Sequence, residues 1–187
     1  MTTPPKRPDI EDIRAAYTGF ARIAVELFQT QGEVAPQLIA LTLGEDSGVF
    51  DDMEIVNPEL VASFYKTEKS KGMVTAVIRA ILADDSPIQG IRRKLGKPRP
   101  ALVVQVSEAW SANGVVRDAD GQMIQAGRRE DRCEVVMIAV HTLTTSAVGF
   151  CPIIDTPTRH CEFAPIDLNG RIMFRGRMSM EGDEAPY

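Results

Sequence analysis

Histidine is almost absent from this chain of 187 residues: there are two, His141 and His160. Three cysteines, Cys133, Cys151 and Cys161, complete its soft metal donors, and none of these residues stands at zinc-site spacing. Cys133 and His141 share strand parity but lie far apart along the strand, and the adjacent His160 and Cys161 would point to opposite faces. Neither a metal nor a cofactor is expected. Three widely spaced cysteines favour reduced core thiols, with a disulfide between two of them the less favoured alternative. Aromatic residues are scarce, at 6% of the chain, so aliphatic side chains must fill the core. A basic excess is missing too: the formal net charge is -5, which disfavours a general nucleic-acid binder. No apolar run reaches the roughly 18 residues needed to cross a bilayer. Residues 1–9 carry no apolar core of a secretory signal, so a cytoplasmic location without a membrane partner is expected.

Catalytic signatures are missing as well. There is no G-x-G-x-x-G, no Walker A and no G-x-S-x-G sequence. Asp118-Ala119-Asp120-Gly121 hints at a calcium loop. With Gly121 at the sixth position, however, Gly127 falls at the twelfth, where an EF-hand needs glutamate. A serine triad would need Ser107 with His141 or His160, and nothing in the spacing selects it.

What is present is a fold pattern. The length suits one sizeable domain. Residues 1–9 read as a flexible leader, 10–178 as a single domain and 179–187 as a disordered acidic tail. Asp9 is a helix cap, with Glu11 and Asp12 in the first turn. Ile13, Tyr17, Phe20, Ala24, Leu27 and Phe28 form one helical stripe that stops at Gly32. A strand follows over 36–43, then a turn over 44–48. Asn57-Pro58-Glu59 starts a second helix. The polar stretch 66–72 breaks it from a third, carried by Met73, Val74, Val77, Ile78, Ile81 and Leu82. Ile88, Ile91 and Leu95 mark a short helix or loop, and 96–100 must be extended. The second half changes period, with strands predicted at 101–110, 133–143, 147–154, 159–164 and 171–175. Residues 114–127 read as a hairpin about Asp120-Gly121 or as a loop. Short connections favour antiparallel neighbours. The expected fold is α+β: a two-layer single domain with N-terminal helices packed on a mainly antiparallel sheet.

Polar chemistry and a rigid frame meet at one place. On strand 101–110, Leu102, Val104, Val106, Glu108 and Trp110 share a face, so Glu108 sits among apolar residues and needs a partner. The second strand opens with Arg128, Arg129, Glu130, Asp131, Arg132 and Glu134. The site these residues offer takes Glu108, Glu130, Asp131 and Glu134 as catalytic acids or bases, with Arg128, Arg129, Arg132 and Trp110 binding a phosphorylated ligand. The structural alternative, which is favoured, pairs Glu108 with Arg128, Arg129 or Arg132 and makes the remainder a solvated set of cross-strand salt bridges. Arg92-Arg93-Lys94, with Lys97 and Arg99, is the strongest basic patch. It has no aromatic residue for base stacking and reads as a solvated connector.

Val106-Ser-Glu-Ala-Trp110 followed by Arg129-Glu-Asp-Arg-Cys-Glu-Val-Val-Met137 is similar to a loose group of bacterial and phage-associated proteins with a strand ending S-E-A-W before an R-x-D-R-x-E-V-x-M strand. The resemblance covers about residues 10–154 and implies a small cytoplasmic α+β protein carried by a mobile element. It implies no activity. From the missing catalytic motifs, the leading expectation is a non-enzymatic protein that binds a macromolecule, through a protein partner or self-association as a homodimer on open sheet edges. The alternative is a phosphoester-directed enzyme or phosphorylated-ligand binder at the charged cluster.

Overall fold

The computed structural model describes residues 6–112, 116–168 and 173–174. The elements are α1 (Ile10–Gln31), β1 (Gln37–Leu43), β2 (Phe50–Ile55), α2 (Pro58–Phe64), α3 (Glu68–Leu82), α4 (Pro87–Lys94), β3 (Leu102–Ser111), β4 (Cys133–His141), β5 (Ser146–Ile154), β6 (His160–Cys161) and β7 (Met173–Phe174). The strands form one antiparallel sheet in the order β2-β1-β3-β4-β5-β6, with β7 also paired to β5. The α+β class and the N-terminal helix on an antiparallel sheet are as the sequence predicts. Among the described residues no helix is long and apolar enough to cross a membrane. The expectations for residues 1–5 and 179–187 fall outside the described residues.

Both ends of α1 are set by local chemistry. Asp9 caps the N–H groups of Glu11 and Asp12, and Asp12 reaches back to the Asp9 N–H in a reciprocal capping box. Asp12 is fully buried. It also accepts from the Gly48 N–H at 2.7 Å, which ties the β1–β2 turn to the helix start, and Lys6 lies 3.6 Å away. At the other end Gly32 takes a φ of 78°, and its N–H returns to the Phe28 carbonyl at 2.8 Å.

The sheet divides the core by parity. Ile39, Leu41, Leu102, Val104, Val106, Val136, Ile138 and Val140 face α1. Leu38, Ala40 and Val103 face the other way and pack against Val61 and Phe64 of α2 and Val74, Ile78 and Ile81 of α3. Beyond the helix-on-sheet layer predicted, α2 and α3 thus lie on the opposite face.

Two elements differ from expectation. α3 starts at Glu68, because Thr67 and Ser70 cap each other around its first turn. β2 was not predicted, because Phe50-Asp-Asp-Met-Glu-Ile55 has no clean alternation. It is the rim of the sheet, and Met53 and Ile55 are exposed on the α1 face beyond the helix's reach. The Val56 N–H donates to the Leu38 carbonyl, so by alternation Asp52 and Glu54 turn their backbone toward β1 and Met53 turns its N–H outward. The Asp52 carboxylate accepts that N–H at 2.9 Å. In the 116–124 segment, Asp118 accepts from the N–H groups of Asp120 and Gln122, and Arg117 pairs with Met123 in a single bridge.

α1 comes close to the sheet because it presents Ala16, Ala21 and Ala24, and because Tyr17 lies directly on Gly149 of β5. A Cβ at Gly149 would fall inside the van der Waals shell of Tyr17 Cε2, Cζ and Oη. Gly149→Ala should therefore cost about 3 kcal/mol in urea unfolding, at the upper end of ordinary overpacking. Tyr17→Leu should recover part of that loss in the double variant, measured as a coupling energy. Stability unchanged by Gly149→Ala would show that the ring has room to move.

Candidate functional site

The β3–β4 ladder sets Glu108 opposite Val136 and Trp110 opposite Glu134. Glu108 does lie on the α1 face, but its partner is none of the three arginines. Its Oε1 accepts the Val34 backbone N–H at 2.7 Å. The chain leaves α1 through the left-handed Gly32, and the Val34 N–H would otherwise be buried without an acceptor. The carboxylate thus secures the connector between α1 and β1.

Several of the remaining charges have local contacts. Arg129 forms a two-pronged contact with Asp131 at 2.8 and 2.6 Å. Arg132 lies over the Trp110 ring at 4.6 Å and donates to the Gly127 carbonyl. Glu134 pairs with Arg159 at 2.8 Å, and that guanidinium also lies 5.5 Å from the Phe28 ring. Arg128 and Glu130 are exposed. The ladder therefore brings Trp110, Arg132 and Glu134 together, while Glu108 and the Arg129–Asp131 pair are engaged separately. Arg159 was not among the residues singled out, because its strand gave no sign of which neighbour it would meet. Among the described residues no group of three or more metal-ligating side chains converges.

A second polar set is buried on the opposite sheet face. Gln105 donates to the Tyr65 hydroxyl at 2.7 Å, and its Oε1 lies 3.2 Å from His141 Nε2. His141 Nδ1 is 2.8 Å from Ser146 Oγ, its cross-strand partner. Burial lowers the His141 pKa to about 4, so the ring is neutral near pH 7. Nε2–H then donates to Gln105, and Nδ1 accepts from the Ser146 hydroxyl. This resembles a serine–histidine pair, but its chemistry is wrong for one. A neutral glutamine stabilises an imidazolium less than a carboxylate does, and a base with a pKa of about 4 is a poor acceptor of the serine proton at neutral pH. Ser107, the serine weighed from sequence, is buried.

Two of the three thiols are no better placed for catalysis. Cys151 and Cys161 are free and buried, and burial foremost pushes the Cys161 thiol up to about 12. Cys133 is exposed. His160, also at the surface, has its pKa raised by the Thr158 carbonyl and then by Glu162.

The most unusual surface is α4. This helix is inverted: Gln89 and Arg92 are buried, while Ile88, Ile91 and Leu95, at helical spacing, are exposed. Ile91 is 60% exposed and Leu95 67%. The cause lies at the end of α3, whose last carbonyls have no partners within the helix. Ser86 donates to the Ala80 carbonyl, Gln89 to Ile81, and Arg99 to Leu82 at 3.0 Å. Arg92 turns inward to Glu54 and the Pro98 carbonyl. With the polar side of α4 committed inward, its apolar side faces solvent with Lys94 next to it on the helix, while Arg93 lies on the far side and donates to the Asp84 carbonyl at 3.3 Å. The basic patch is accordingly smaller than its sequence suggests, since Arg92 has left it.

No family model, curated protein or solved structure matches this chain.

The His141 pKa carries a pH dependence of known sign. The folded value lies below the ordinary one of 6.5, so the contribution of the neutral ring is complete above that pH and is lost as pH falls toward about 4. Urea unfolding should show a loss of about 3 kcal/mol across that window. His141→Gln should flatten the slope between pH 6.5 and about 5. Asp9 and Glu54, whose pKa values are lowered, titrate below that range. An unchanged slope in the variant would place the titration elsewhere.

Proposed function

We propose that this chain is a non-enzymatic interaction protein that docks a partner protein on α4, and that the docking segment of that partner is apolar and acidic. The inverted helix carries the reading. Fully covering Ile88, Ile91 and Leu95 would be worth about 5 kcal/mol before the costs of association. Lys94, adjacent to that row on the helix, favours acids on the partner. A symmetric pairing of α4 with a second copy would bring the Lys94 of each copy to the seam with no acid to meet it, so a different protein suits the surface better than a homodimer through this helix. Three aliphatic side chains on an eight-residue helix also form a small footprint for a lipid surface. The other expected function, a phosphoester enzyme at the charged cluster, finds little support. Arg129 and Arg132 are already engaged, Arg128 and Glu130 stand apart from them in solvent, and Glu108 secures a backbone group.

The test places a photocrosslinking residue at position 91 and, as a control, at the exposed position 29 on α1, in cells producing the full chain. One discrete protein adduct is expected at 91 and none at 29. Its yield should fall as salt is raised. It should disappear when Leu95→Asp is added, with fold stability changed by no more than about 0.5 kcal/mol. A wild-type species at twice 20.5 kDa that Ile91→Asp/Leu95→Asp dissolves would overturn the proposal in favour of self-association. Co-sedimentation with phosphatidylserine vesicles that the same variant abolishes would overturn it in favour of a membrane.

A further inference from the structure

A cavity of about 860 Å³ opens at the end of the sheet where α1 begins, bounded by the ends of β1 and α3, residues 98–101 and the β4–β5 turn. This is within the range of small-molecule sites, about 300–1,000 Å³. None of the elements discussed above uses it: it is remote in sequence from the 128–134 cluster, and Ile88, Ile91 and Leu95 of α4 do not line it.

Its wall has two chemistries. Ile13, Leu43, Leu82 and Leu168 supply an apolar floor. Lys6, Arg7 and Arg99 supply cations, against two acids, Asp9 and Asp84. Both acids are engaged: Asp9 caps α1 and accepts from Ser47 at 2.5 Å, and Asp84 holds Arg99 at 2.7 Å. Lys6 lies 3.6 Å from Asp12, just outside the lining, which leaves Arg7 and the outer part of Arg99 as the cations that face the cavity.

Arg99 is fixed in place rather than free in solvent. One terminal nitrogen is on Asp84 and the other on the Leu82 carbonyl at 3.0 Å. Its Nε is closed off from the cavity, but the side chain keeps 30% exposure and each terminal nitrogen retains a second N–H. A guanidinium positioned in this way, with hydrogen-bonding capacity left over beside an apolar floor, is arranged for a ligand with a charged head and a hydrocarbon body.

We propose that this cavity binds one amphipathic anion, an aliphatic carboxylate or a similar molecule, with its head at Arg99 near Lys6 and Arg7 and its apolar part over Ile13, Leu43 and Leu82. The site is independent of partner docking on α4.

Isothermal titration of the full chain with sodium decanoate, below its micelle concentration, reads the proposal directly. A single saturable site is expected. Decyltrimethylammonium, with the same tail and the opposite charge, should bind at least about tenfold more weakly, as should inorganic phosphate, which has no tail. Arg99→Gln should weaken decanoate by about tenfold or more. Because Arg99 also supports the end of α3, a second variant keeps the test independent of folding. Leu143 lines the cavity at the tip of the β4–β5 turn and is 58% exposed. Leu143→Glu should weaken decanoate severalfold and Leu143→Lys should not. Absence of saturable decanoate binding, equal binding of the cationic analogue, or equal effects of the two Leu143 variants would each overturn the site.

Discussion

One side chain governs how this molecule is assembled. Tyr17 projects from the middle of α1, and its ring lies against the backbone of β5 where Gly149 leaves space. Its hydroxyl donates to the Ala164 carbonyl at 2.8 Å. Helix, sheet and the segment after β6 thus meet on a single fully buried phenol, whose pKa burial pushes upward so that it stays a donor. The β4–β5 register follows from the same contact. Ile138 stands opposite Gly149, and a slip by one residue would bring Val148 or Phe150 beneath the ring. The alanines of α1 are the other half of this arrangement, since larger residues at 16, 21 or 24 would lift the helix away from the glycine.

Legibility of the fold followed the local signals. α1 was readable from end to end because Asp9 and Gly32 have stereochemical roles that few other residues fill. β3, β4 and β5 were readable because long aliphatic runs bounded by turns have few other solutions. β2 was not, because a rim strand buries little and its Asp51, Asp52 and Glu54 obey no alternation. The orientation of α4 was hidden for a different reason. Ile88, Ile91 and Leu95 have the spacing of a buried stripe, and their exposure is decided by carbonyls of another helix. Glu108 was visible as an anomaly on an apolar face, yet its partner is a backbone N–H, which has no signature in sequence.

The polar residues that first draw the eye are mostly occupied in holding the fold together. Glu108 secures a connector, His141 and Gln105 complete a buried hydrogen-bond chain, Asp12 joins a turn to a helix, and Gln89 closes the end of α3. Each satisfies a group that burial would otherwise leave unmatched. What distinguishes the surface is the reverse: aliphatic side chains left in water on α4, and a cavity that sets cations beside an apolar floor.

The rim strand carries a consequence for the size of the assembly. A sheet can grow wherever a strand offers a free donor, and β2 has turned its Met53 N–H into a closed one by folding the Asp52 carboxylate over it. Asp51 adds an exposed charge beside that cap, while Glu54 is paired with Arg92 and Lys97. At the far margin, β6 is two residues long and gives little length for an added strand. The sheet therefore ends where it does because its borders terminate it, and the breadth of the molecule is written in its margins rather than in its core.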